Sequence, residues 1–112
     1  MLCITHAYAQ TPQQDTARCR QLEAKIEAEQ NDDVWPAWNL EIKAIADKNL
    51  KTLPPQSLFT KIFKKFRSGA LNNLGYLSQM QSKIPEAIAY YDTASVIQQD
   101  IGDKEGMATT LN

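Results

Sequence analysis

The chain has 112 residues, 43% of them apolar, and 12 basic against 13 acidic side chains give a net charge of −1. That is the size of one small domain with a modest core, and the even charge argues against a general nucleic-acid binder, which carries a basic excess. No segment approaches the ~18 consecutive apolar residues of a membrane-spanning helix, and the low glycine content without strand-like alternation points to an all-α protein.

The first ten residues, Met1 to Gln10, are short and apolar before the chain turns polar at Thr11. Ala7-Tyr8-Ala9 ahead of Gln10 matches the small-x-small pattern of a signal-peptidase site. A basic n-region is absent and the apolar run is short, so residues 1–10 read as the remnant of a signal peptide whose start lies upstream. The expected location is exported or periplasmic if that leader is genuine, and cytoplasmic otherwise.

Four long helices and the start of a fifth follow. The first is predicted from about Thr11 to Gln30, with Pro12 in its first turn and Ala17, Leu22 and Ile26 as an apolar stripe. Asn31-Asp32-Asp33 breaks it, and Asp33 is placed to cap the next helix. The second is expected over Val34 to Leu50, burying Trp35, Trp38, Ile42, Ile45 and Ala46. Leu53-Pro54-Pro55-Gln56-Ser57 is a turn, with Ser57 as cap. The third runs from Leu58 to Ser82, where Leu58, Phe59, Ile62, Phe63, Phe66, Ala70, Leu74 and Leu77 keep a helical period. The fourth spans Pro85 to about Gln99, and the fifth opens near Lys104. Short turns between neighbours favour antiparallel hairpins.

The residues that could carry chemistry are few. His6, the only histidine, lies in the leader, so no Ser-His or Cys-His pair can be built without it. No phosphate-cradling glycine loop occurs. Cys3 would leave with the leader, and Cys19 reads as a small packed residue, so neither a disulfide nor a zinc site is expected. Lys61, Lys64, Lys65 and Arg67 form a basic run that reads as the solvated face of an amphipathic helix. Trp35 and Trp38 read as core, and Glu23, Lys25 and Glu27 as helix-surface charges. The expectation is a non-enzyme without cofactors.

The most informative stretch lies towards the end. Ala70-Leu71-Asn72-Asn73-Leu74-Gly75-Tyr76 is followed by Ala87-Ile88-Ala89-Tyr90-Tyr91-Asp92-Thr93-Ala94. Leu71-Asn72 then recurs as Leu111-Asn112, a period of about 40 residues. Leu74-Gly75 in one helix, with Ala87, Tyr91 and Ala94 in the next, resembles the tetratricopeptide repeat (TPR), a helical hairpin of about 34 residues. Gly75 and Ala87 are small where two helices would cross, Tyr91 is the large residue beside them, and Ala94 makes room for a neighbour. Leu71 stands where the family often has a large aromatic, a mild change of core volume.

The resemblance implies an α-solenoid fragment of antiparallel hairpins. Residues 11–53 would be a degenerate or capping hairpin, since they lack a Leu-Gly pair and repeat arrays need atypical ends. Residues 58–101 would be a TPR-like repeat with an extended first helix, and residues 104–112 the start of a second, truncated one. It also implies a concave groove on the first helix of the repeat. Carried onto this chain, the groove positions are Gly69, Asn72, Asn73, Tyr76 and Gln79, with Thr109 and Asn112 beginning the next row. Asn72 and Asn73 can meet a peptide backbone through donor and acceptor, or bridge neighbouring helices instead. These positions are neutral, so a basic clamp for a carboxylate is not expected.

The implied partner is a protein or peptide. The long repeat and its Ile101-Gly102-Asp103-Lys104 linker are similar to those in N-terminal sensory regions of bacterial signalling proteins, the membrane histidine kinases and nucleotide cyclases among them. The chain would then be the binding end of such a protein, without kinase or cyclase activity of its own. The alternatives are a free-standing adaptor that self-associates through an uncovered face of the fourth helix near Ile88, Tyr91 and Ala94, and a fragment of an enzyme, which the missing residues disfavour.

Overall fold

The computed structural model describes residues 10–103 together with 106, 107 and 110. The leader and the residues Lys104, Thr109, Leu111 and Asn112 of the expected second repeat lie outside the described residues. The protein is all-α: helix α1 spans Pro12–Ala28, α2 Trp35–Thr52, α3 Leu58–Met80 and α4 Ile84–Ile101, and a 3-10 turn at Asp32–Val34 leads into α2. Among the described residues there is no strand, and Gly106, Met107 and Thr110 are helical.

Local chemistry sets the helix ends. Thr11 caps α1 in a reciprocal box: its hydroxyl accepts from the Gln14 N–H at 3.1 Å, and the Gln14 side chain accepts from the Thr11 N–H at 2.9 Å. Ser57 caps α3, accepting from the Phe59 N–H at 3.2 Å. Asp33 does not cap α2. The 3-10 turn already wraps the chain there, so Asn31 is the extended residue whose side chain accepts from the Asp33 N–H, and α2 starts after Val34 without a side-chain cap.

The helices α3 and α4 end alike. Beyond each, two N–H groups fold back onto the last carbonyls: Lys83 to Ser78 and Ser82 to Gln79 after α3, Asp103 to Gln98 and Gly102 to Gln99 after α4. This closure needs a left-handed residue, and the two are Ser82 at φ 61° and Gly102 at φ 68°. Glycine adopts that conformation without cost, whereas serine does not.

Cross-helix pairs establish the antiparallel register. Asp15 meets Asn49, and Lys25 lies over Trp38, so α1 and α2 run oppositely. Arg67 meets Asp47, and Asn73 meets Asn39, which does the same for α2 and α3. Lys64 meets Asp100, and Gln79 meets Tyr91, for α3 and α4. Every helix packs on the next, the α3–α4 pair most closely. The result is elongated, 49 × 32 × 23 Å, with a radius of gyration of 14.8 Å against the ~13 Å of a compact chain of this length.

One core joins α1, α2 and α3 through Cys19, Leu22, Ile26, Ile42, Ala46, Phe63, Phe66 and Ala70. Leu71, Leu74, Leu77, Ala87 and Ala94 continue it between α3 and α4. Several expectations shift. The buried stripe of α1 is Asp15, Thr16, Cys19, Leu22 and Ile26, while Ala17 is exposed because it lies off the helical face that residues 15, 19, 22 and 26 share. Leu58, the first residue of α3, is 85% exposed, since the helix begins before it reaches the core. Trp35 and Trp38 are half-buried at the core's edge rather than inside it. The patch expected around Ile88, Tyr91 and Ala94 is also different. Ala94 is fully buried and Tyr91 is half-buried with its ring against Gly75 of α3, and the exposed large apolar residues of α4 are Ile84, Ile88 and Val96.

Candidate interaction groove

Where the hairpins stack, α1, α2, α3 and the end of α4 enclose an open groove of about 580 Å³. Glu23 and Glu27 of α1 form one wall. Asn39 and Ile42 of α2 lie beneath, α3 supplies Lys65, Ser68, Gly69, Asn72 and Asn73, and Gln98, Asp103 and Gly106 close the far end. A second hollow of about 530 Å³ shares Glu23, Glu27 and Asn73 and adds Ile26 and Trp35.

An amide relay crosses the groove floor. The Asn39 Nδ2 donates to the Trp35 carbonyl at 3.0 Å, and the Asn73 Nδ2 donates to the Asn39 Oδ1 at 3.0 Å. Further along, the Thr110 hydroxyl lies 3.2 Å from the Asn72 Oδ1 and 2.9 Å from the Gln98 Oε1. The Gly106 carbonyl lies 3.0 Å from the same hydroxyl, whose single proton serves one of the three acceptors at a time. Asn39 and Gln98 are almost wholly buried, at 0% and 2% exposure. Burying an amide costs free energy unless it is bonded, so these bonds fix how the helices sit against each other.

Of the positions implied for the groove, Gly69, Asn72 and Asn73 come together in its lining. Both asparagines are half-buried, and among the described residues each engages one amide atom with another helical segment. Tyr76 lies at the lip, 41% exposed, its ring centroid 6.3 Å from that of Trp35. Gln79 sits further along α3, outside the lining residues, where its Oε1 accepts from the Tyr91 hydroxyl at 3.0 Å.

The positions implied for packing meet at the α3–α4 crossing. A methyl group added at Gly75 would stand 2.8 Å from the Tyr91 ring, so the ring occupies the space that any other residue would need. Leu71, Leu74, Ala87 and Ala94 are buried around it.

The electrostatics divide groove from frame. Burial pushes the Glu23 carboxyl above its ordinary range; Lys65 and Arg20 oppose that, and Glu27 adds to it. The basic run is partly engaged elsewhere, with Lys64 paired to Asp100 and Arg67 to Asp47, each at 2.7 Å. Burial raises the Asp47 carboxyl, but hydrogen bonds and charge from Lys43 and Arg67 outweigh it and hold the group low. Burial drives the Cys19 thiol up to about 12, so it stays a protonated packing group. Among the described residues no cluster of His, Cys, Asp or Glu could hold a metal ion, and no helix is long and apolar enough to cross a membrane.

Sequence reasoning missed Glu23, Glu27, Asn39 and Gln98 as groove residues. Asn39 and Gln98 left a signal: each is polar at a helical position otherwise set for burial, four residues after Trp35 and Ala94 respectively. The glutamates left none, since they look like any solvated pair on a helix. Comparison of the chain with family models, with curated proteins and with solved structures finds no match.

Proposed function

We propose that this protein is a protein–protein interaction module, a TPR-like hairpin stack that takes a peptide or protein segment in the groove along α3. It would form the N-terminal binding part of a larger bacterial signalling protein. The supporting observation is the groove itself: an open channel with half-buried Asn72 and Asn73 whose second amide atoms have no hydrogen-bond partner among the described residues. A site of that size with a few convergent polar groups suits recognition, and the residues around it offer no nucleophile–base pair.

A second reading, a free-standing adaptor that self-associates, is favoured by the exposed Ile84, Ile88 and Val96 on α4 with Met80 nearby in the chain. Incorporating a photo-crosslinking amino acid at Tyr76, on the groove lip, tests the first reading in cells. Adducts with another polypeptide are expected there and not from the same label at the remote Leu58. Adducts with a second copy of this chain from a label at Ile88, and none from Tyr76, would favour the adaptor instead. An antibody raised against residues 68–100 then separates the two contexts by the size and cell fraction of the native product.

A further inference from the structure

The outward faces of α2 and α4 carry two exposed rows that complement each other. On α4, Ile84, Ile88, Asp92 and Val96 recur every fourth residue, which sets them in one ridge along the helix. All four are exposed, the apolar three at 49%, 54% and 66%. Helix α4 holds Glu86, Asp92 and Asp100 and neither Lys nor Arg, and no ion pair among the described residues engages Asp92. On α2, the exposed Ala37, Leu40, Ala44, Lys48 and Lys51 fall on one narrow stripe, apolar towards the start of the helix and basic towards its end. Leu40 is 51% exposed. The Lys48 Nζ reaches Asp15 at 2.8 Å while its side chain stays 56% exposed. Neither row contributes to the lining of the two hollows, so the groove stays open whatever covers these faces.

The charge pattern selects among the ways in which copies could meet. A symmetric contact of α4 with the α4 of another copy, antiparallel about the middle of the helix, sets Asp92 beside Asp92 with no cation on either helix. Like charges opposed in that way are costly. The α2 stripe supplies the cations that the α4 ridge lacks. With the two helices parallel, Leu40 falls beside Ile84, Ala44 beside Ile88 and Lys48 beside Asp92, all at one constant offset. An antiparallel docking that kept Lys48 on Asp92 would set Leu40 against Asp100 instead.

We propose that the α4 ridge is covered by the α2 stripe of a second copy of this chain, in a parallel, head-to-tail contact. The proposal rests on the adaptor reading and supplies the other half of its contact. Ala37 and Ala44 are small, so the α2 backbone can come close to the larger Ile84 and Ile88. Burying those isoleucines with Leu40 removes apolar surface from water, and the Lys48–Asp92 pair fixes the direction and register of the helices. Because the two patches differ, each copy in a pair keeps one patch free. Copies then add in a row or close into a ring of three or more.

Sedimentation velocity on the full chain over a range of concentrations tests this contact. The parent's mass should grow with concentration beyond that of a dimer. Ile88→Glu and Leu40→Glu should each leave a monomer. An equal mixture of the two variants should form a dimer, since one copy brings an intact α2 stripe and the other an intact α4 ridge. Both positions are exposed, so each variant should keep the parent's thermal midpoint. Asp92→Lys should weaken the association about tenfold. Association that Leu40→Glu or Asp92→Lys leaves unchanged, or a mixture that stays monomeric, would overturn the contact while leaving the adaptor reading intact. A parent that stays monomeric at every concentration would overturn both.

Discussion

The two hairpins reach the same topology by different chemistry. Beside the apolar core it shares with α3, the α1–α2 hairpin is tied by polar pairs: Asp15 to Asn49 and Lys48, both at 2.8 Å, Arg18 to Glu41 at 2.7 Å, and Lys25 over Trp38. The α3–α4 hairpin has the Lys64–Asp100 and Tyr91–Gln79 pairs but adds a fit of shape, with the Tyr91 ring in the place of a side chain at Gly75 and the alanines 87 and 94 buried. Charged pairs tolerate a loose fit because side chains can swing to meet, while interdigitation demands that backbones approach closely. The closer packing of α3 on α4 than of α1 on α2 follows. In the groove, Glu23 and Glu27 belong to α1, Asn39 to α2, and Asn72 and Asn73 to α3.

Phe63 serves both hairpins, being fully buried in the core shared by α1, α2 and α3. Phe63→Ala should cost about 3–5 kcal/mol, read as a fall in the urea midpoint with a single cooperative transition. Two separated transitions would mean that the hairpins fold independently. Next in size, Gly75→Leu forces the Tyr91 ring out of its place and should cost about 1–3 kcal/mol. If the variant kept the parent's midpoint, the shape-based account of α3–α4 would fail. A compensating Tyr91→Ala in the same chain should recover part of the loss.

Asp47 probes the polar link between the two hairpins, through Arg67 of α3. Its folded pKa is lowered, so the stability it contributes is fully present above the unfolded value of about 3.9 and is lost as pH falls through the folded value. Asp47→Asn should therefore cost about 1–2 kcal/mol near neutrality, and the difference from the parent should vanish in acid. A penalty that stays constant across a pH series of thermal melts would show that the charge is not its source. Smallest of all, Ser82→Gly should stabilise by about 0.5–1 kcal/mol, because a residue at φ 61° loses its left-handed penalty. The same measurement on Gly102→Ala should move the other way.

The helices were legible because their signals are local. Pro12 in a first turn, Ser57 as a cap and Gly102 at a helix end act within a few positions, and the apolar period of α3 marked Phe63, Phe66, Ala70 and Leu74 for burial. Errors fell where a second local turn competed with the first reading and where packing decided exposure. Asp33 lost its cap role to a 3-10 turn, Leu58 begins its helix outside the core, and Ala94 is covered rather than bare.

Sequence by itself determined the all-α class, the four helices and the turn at residues 53–57, since backbone hydrogen bonding within a helix depends on residues three or four apart. Only the tertiary structure decided which faces look into the groove. Glu23 and Glu27 carry the same local pattern as any solvated pair of glutamates. What sets them apart is the crossing of α1 over α3, which brings them beside Asn73 and Trp35. That crossing depends on the summed packing of side chains far apart in the chain, and no short stretch of residues encodes it.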